Sequence, residues 1–123
     1  MIRCRLAFPA FVTLVVLAHV SLSWGQDRDR SSANAVLPGC KQATVPGDIP
    51  NTDLFPAGFC MGLVGGISYA GRPLICVPYG VTYTQLTQVV VRYLDQRPER
   101  THEDFKLLAS EALANAWPCK AGQ

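Results

Sequence analysis

Cysteine placement constrains this chain more than any other feature. Five cysteines occur among 123 residues, and the first, Cys4, lies in a segment the mature protein is expected to lose. Arg3 and Arg5 precede an apolar run from Leu6 to Leu22, which ends in small residues with Ser23 and Gly25 placed as at a signal-peptidase site. Pro9 and His19 interrupt the run and no stop-transfer pattern follows, which favours a cleaved signal over a membrane anchor. Residues 1–25 therefore read as a signal peptide cut near Gly25, and export takes the rest to a compartment where cysteines pair. Cys40, Cys60, Cys76 and Cys119 remain, an even number. Their separations of 20, 16 and 43 residues contain no Cys-x2-Cys pair, and the mature chain has one histidine, His102, so a structural zinc is not expected.

Losing Arg3 and Arg5 brings Lys plus Arg from 11 to 9, equal to the 9 Asp plus Glu. The mature chain is near neutral, with no basic stripe for nucleic acid. A hydrophobic content of 49% against 16% charged suits one small globular domain.

Residues 26–58 read as a flexible lead-in followed by a proline-rich arm. AVLPGCKQATVPGDIPNTDLFPAG holds four prolines and three glycines, which disfavour a long helix and favour irregular chain with a short turn before Cys40. FCMGLVGGISYAG, Phe59 to Gly71, is apolar all round and predicts a fully buried helix. Gly62, Gly65 and Gly66 each cost such a helix about 1 kcal/mol relative to alanine, which close approach of a neighbouring helix would offset. The uncharged stretch from Leu54 to Gly71 is short for a membrane span and contains Pro56.

Gly71, Arg72 and Pro73 end this helix, and LICVPYGV continues as extended chain. Thr82 and Gln85 form the two halves of a capping box, with Val81 and Leu86 spaced as a hydrophobic staple. Leu86, Val89, Val90, Tyr93 and Leu94 mark the apolar face of the helix that follows, until Pro98 stops it near Gln96. A further start is expected at Thr101, with Phe105, Leu108, Ala109, Ala112, Leu113 and Ala116 as the stripe and Pro118 as the stop. Two helices of about 14 and 15 residues, joined by a short connector, should fold back as an antiparallel hairpin. The fold class is thus all-α: a small disulfide-stapled helical domain with its core in residues 59–119.

In such a hairpin the start of the first helix and the end of the second lie together, and Cys76 and Cys119 flank those two ends. This geometry predicts a Cys76–Cys119 disulfide and leaves Cys40 for Cys60, with the other two connectivities still open. With all four cysteines oxidised no thiolate nucleophile remains, and no serine motif, phosphate loop or carboxylate pair is visible. A binding protein without catalytic residues, cofactor or metal is expected. Candidate partner-binding residues are Arg72, Tyr79 and Tyr83, with Arg92, Arg97 and Arg100 as a second group, because Tyr and Arg are frequent interface anchors. Trp117, Tyr93 and Phe105 read as core, and Val91 and Leu107 as positions for a possible homodimer contact.

The sequence resembles the Rap/Tai family of immunity proteins. The resemblance rests on Cys40, on Cys60 with Gly62, on Cys76 with Pro78, Gly80, Val81 and Thr82, on the Val90 to Leu94 helix, and on Trp117, Pro118 and Cys119. It implies an exported, mostly helical, often dimeric protein that binds and blocks a peptidoglycan-cleaving amidase delivered by type VI secretion. On that likeness the protein is periplasmic, is not an enzyme, and has a secreted cell-wall amidase as its partner, with no nucleic-acid role and no membrane attachment after signal cleavage. Prolines stand before Cys60 where many relatives have a helix. The competing reading is a general periplasmic binding or chaperone-like module with no single enzyme partner.

Overall fold

The computed structural model describes residues 30–120, so the expected signal peptide lies outside the described residues. Four helices, α1 (Ala33–Thr44), α2 (Leu54–Ala70), α3 (Tyr83–Asp95) and α4 (Phe105–Ala116), are joined by loops, with a 3-10 turn at Pro98–Arg100 between α3 and α4. Isolated β-bridges occur among the described residues but no strand, and the fold is all-α.

Helix α1 corrects the expectation of an irregular arm. Its 12 residues contain Pro38 and Gly39, and Pro38 cannot donate the bond that would tie it to the carbonyl four residues before. Tertiary contact offsets that cost. Ala33, Val36, Gly39, Cys40 and Ala43 are buried along one side, and α1 packs on α2 and α3. Gly39 is needed there, since a Cβ would run into the Pro56 backbone, 2.7 Å from its carbonyl carbon. The first turn of α1 is capped from a distance: Ser32 accepts from Ala35 N, while Ala33 N and Asn34 N donate to the carbonyls of Glu103 and Thr101 at 2.9 and 2.8 Å.

That capping also explains why α4 starts later than its sequence suggests. The carbonyls of Thr101 and Glu103 serve α1, and Asp104 becomes the N-cap of α4, accepting from Lys106 N at 2.8 Å. Thr101 instead closes the 3-10 turn. The start of α3 matches its sequence signal in full: Thr82 Oγ1 accepts from Gln85 N at 3.2 Å, and Thr82 N donates to the Gln85 side chain at 2.8 Å. Leu86, Val90 and Leu94 of α3 are buried against Phe105, Leu108 and Leu113 of α4, each large side chain contributing about 1.5–3 kcal/mol. Phe105 is fully buried, whereas Tyr93 and Trp117 lie at the margin of the core.

Helix α2 begins earlier than Phe59 because Pro56 falls in its first turn, where a missing N–H costs nothing. It is also not buried all round. Ala57, Cys60 and Val64 are fully covered and Leu63 and Ile67 partly, while Leu54, Phe55, Phe59 and Tyr69 face out. Close approach of a neighbouring helix is met at one of its three glycines and through a side chain: a Cβ on Gly65 would run into the ring of Tyr83 at the start of α3, whereas Gly62 and Gly66 have open space where a Cβ would stand.

Cys40 is bonded to Cys60, Cα–Cα 5.2 Å, and Cys76 to Cys119, Cα–Cα 4.9 Å. The first bond pins α1 to α2. The second joins the loop after α2 to the chain beyond α4, beside an antiparallel bridge of Ile75 with Pro118 and a 2.9 Å bond from Cys76 N to Trp117 O. In the chain-entropy treatment, closing 20 and 43 residues corresponds to about 3 and about 4 kcal/mol.

At the opposite end of the hairpin, Arg100 donates to Glu103 from Nε and Nη2 at 2.7 and 2.8 Å, and to Glu111 from Nη1 and Nη2 at 2.7 and 3.2 Å. Tyr93 Oη donates to Glu111 at 2.8 Å, and Arg97 lies over the Tyr93 ring at 4.0 Å. Hydrogen bonds from Arg100 hold both carboxyls below their ordinary value. Burial, helped by the bond to Glu111, pushes the Tyr93 hydroxyl up.

Carboxylates depressed in this way stabilise the fold fully above their unfolded value near 4.5 and progressively less as pH falls through their folded values. The urea midpoint of the wild type is therefore expected to drop more between about pH 5 and about pH 3 than that of Arg100→Met. A glycine pair supplies a second check by thermal or urea unfolding. Gly39→Ala should destabilise by about 1–3 kcal/mol through overpacking against Pro56, whereas Gly62→Ala, with open space, should stabilise by up to about 1 kcal/mol.

Candidate functional site

From Leu54 to Val91 the sequence has one charged residue, Arg72. These residues form α2, the loop over residues 71–82 and most of α3, and they supply seven of the nine large hydrophobic side chains exposed among the described residues. Charge depletion combined with exposed aromatics is the composition of an interface core.

The loop is built as a fixed protrusion. Gly71 N donates to Ile67 O at 2.8 Å and closes α2, and Leu74 N and Ile75 N return to Gly71 O at 2.7 and 3.0 Å. Gly71 leaves room for Ile75, whose Cγ1 would sit 3.1 Å from an added Cβ. Ile75 is buried and holds the loop to the core, and Cys76 anchors it to Cys119. Beyond that anchor the chain turns at Pro78-Tyr79-Gly80-Val81, closed by Val81 N to Pro78 O at 3.4 Å, with Gly80 at φ +90°. A positive φ at the third turn residue calls for glycine. The preceding residue, Tyr79, stands at the corner with its side chain wholly in solvent.

Behind this corner lies a groove of about 440 Å³, lined among others by Tyr69, Arg72, Ile75, Tyr79 and Tyr83. Arg72, Tyr79 and Tyr83, the three residues singled out in the sequence, are thus brought to one site. The guanidinium of Arg72 lies over the Tyr69 ring, 5.0 Å from its centre, in a cation–π contact. Tyr83 is placed by Gly65, where a Cβ would sit 2.9 Å from the ring Cδ1. On its other side Tyr83 bounds a shallower hollow of about 230 Å³ formed with Met61, Gly62, Gly65 and Gly66. Phe55 and Phe59, stacked at 6.2 Å, continue the exposed apolar side of α2.

The second arginine group separates. Arg97 and Arg100 belong to the network between α3 and α4, and Arg92 is exposed on α3 outside the groove. Of the two suggested contact positions, Val91 packs partly against the core, while Leu107 is exposed on α4. Tyr69 and Phe59 were hidden from sequence reasoning by the assumption that an all-apolar helix is buried, and Phe55 by its assignment to the proline-rich arm. The signal that reveals them is the near absence of charge over a span that forms a helix, a loop and a second helix. The groove's lining holds no carboxylate, imidazole or free thiol, so its chemistry is that of recognition through aromatic faces and one guanidinium.

The sequence model of a family described as Rap1a immunity proteins matches residues 32–119. No curated protein and no solved structure matches the chain. No helix among the described residues is long and apolar enough to cross a membrane.

Two substitutions in the loop separate its anchor from its exposed corner. Ile75→Ala should lower unfolding free energy by about 2–5 kcal/mol, because it empties a core position. Tyr79→Ala, touching a side chain in solvent, should stay within about 0.5 kcal/mol of the wild type in the same urea titration.

Proposed function

Because the chain belongs to the Rap1a immunity protein family, we propose that it is a periplasmic immunity protein that binds and sterically blocks a peptidoglycan-cleaving amidase delivered by type VI secretion. The observation that carries the reading is the Tyr79 corner: a fully exposed aromatic on a loop fixed by the Cys76–Cys119 bond and the buried Ile75. A loop already ordered in the free protein avoids the entropy a flexible one would lose on binding. Entering the substrate cleft of the amidase, such a loop excludes the peptide that the enzyme would cleave, and inhibition needs no chemistry from the inhibitor. Arg72 and Tyr83 beside the corner add the large, amphipathic contacts that dominate protein interfaces.

The exposed apolar side of α2 also suits a chaperone-like module that holds many clients. Stoichiometry separates the two readings: an immunity protein forms a saturable complex with one enzyme, whereas a client binder recovers many unrelated chains.

The test uses the oxidised, signal-free protein against purified cell-wall amidases encoded with it. Inhibition at one-to-one stoichiometry is expected, together with protection of cells that express the amidase in their periplasm. Tyr79→Ala should weaken inhibition about 10- to 100-fold, which is about 1.4–2.8 kcal/mol. Failure to inhibit any of these amidases overturns the proposal.

A further inference from the structure

A loop that enters a cleft must receive the lip of that cleft in the hollow behind it. Here that hollow is the groove of about 440 Å³ between the loop and α2, and its contents are specific: tyrosines, aliphatic side chains and the guanidinium of Arg72. Arg72 is the only charge from Leu54 to Val91 and forms no ion pair among the described residues, whose four ion pairs lie elsewhere. The guanidinium carbon lies over the Tyr69 ring, 5.0 Å from its centre, and this cation–π contact uses the ring face while the guanidinium N–H groups make no hydrogen bond among the described residues. Two parallel N–H donors match a carboxylate.

The ligand is also larger than a small molecule. The apolar surface runs past Tyr83 into the second hollow and on to Phe59 and Phe55, well beyond the groove that holds Arg72. Charge complementarity and this continuity together select a protein segment.

We infer that the groove behind the loop binds an extended segment of the partner protein bearing an Asp or Glu carboxylate, read by Arg72, beside a small or apolar residue that packs between Tyr79 and Tyr83. The inference rests on the reading that this face docks a protein. Arg72 sets which partners are accepted: a lip that places Lys or Arg opposite it is rejected, since like charges juxtaposed in a dry interface cost far more than a missing contact.

The probe is a displayed library of random linear nonapeptides, panned against the oxidised wild type, Arg72→Lys, Arg72→Gln and Arg72→Glu. Thermal melts of the four proteins should coincide, because the Arg72 side chain is exposed. Wild-type binders are expected to share an acidic residue at one position next to a small or apolar one. Their affinity should fall at least tenfold for Arg72→Gln and less for Arg72→Lys, and Arg72→Glu should enrich Lys or Arg at the same position. Binders without a shared acidic position, binders that hold Arg72→Gln as tightly as the wild type, or a complete lack of binders would each overturn the inference. The immunity reading fails separately: an acid-selecting groove in a protein that inhibits no amidase sinks that reading alone, whereas full amidase inhibition by Arg72→Glu sinks only the role of Arg72.

Discussion

The Cys76–Cys119 bond carries the arrangement on which the exposed aromatic face depends. It joins the loop after α2 to the segment after α4, and it acts with two neighbours: the bridge of Ile75 to Pro118 and the bond from Cys76 N to Trp117 O. A 12-residue loop without a helical ladder of its own would otherwise sample many conformations, each residue ordered on binding costing about 1–2 kcal/mol. With the staple in place most of that cost falls on folding, where a buried Ile75 and a closed helix hairpin offset it. Rigid scaffold and exposed loop are a usual division of labour in proteins; here a covalent bond marks the boundary between them.

The far end of the hairpin uses polar contacts for a comparable purpose. Arg100 grips Glu103 and Glu111 at once, which fixes the connector between α3 and α4. The same connector presents the Thr101 and Glu103 carbonyls to the first N–H groups of α1. These ion pairs are partly solvated, so their net energy is modest. Their importance is geometric: the connector's shape gives α1 a place to begin, and Cys40 with Cys60 then holds α1 against α2. A helix carrying an internal proline thereby becomes one wall of the core.

That wall has a functional consequence. With Ala57, Cys60 and Val64 buried on the side that meets the other helices, Phe55, Phe59 and Tyr69 of α2 remain exposed, and Tyr69 lines the groove with Tyr79 and Tyr83 from the loop and α3. An isolated guanidinium in an apolar, aromatic surface can discriminate more sharply than one among many charges, because no neighbouring carboxylate competes for it. The chain belongs to the Rap1a immunity proteins, and an exposed aromatic face with a single guanidinium is compatible with a protein that binds a partner effector.

Signals that act within a few residues were legible in the sequence. Thr82 and Gln85 cap α3 as their spacing says, because both partners of each bond lie in one turn. The apolar stripes of α3 and α4 gave the hairpin, and the hairpin's equal arms brought Cys76 to Cys119. Arg72, Tyr79 and Tyr83 were visible as residues a small core has no need of. What local sequence could not show depended on distant partners. Pro38 and Gly39 argue against a helix by themselves, yet α1 forms because Gly39 lets its backbone meet Pro56 and Cys40 reaches Cys60. Its periodic Ala33, Val36, Cys40 and Ala43 were the faint trace of that packing. Phe105 rather than Thr101 begins α4 because carbonyls near Thr101 are claimed by a helix far away in the chain. The even hydrophobicity of α2 hid which side would be covered. Sequence alone therefore determined the caps, the hairpin and the cysteine inventory, each set by neighbours in the chain. Only the tertiary structure decided that α1 exists and which side of α2 is left uncovered, because burial is a property of what packs against a surface and not of the surface itself.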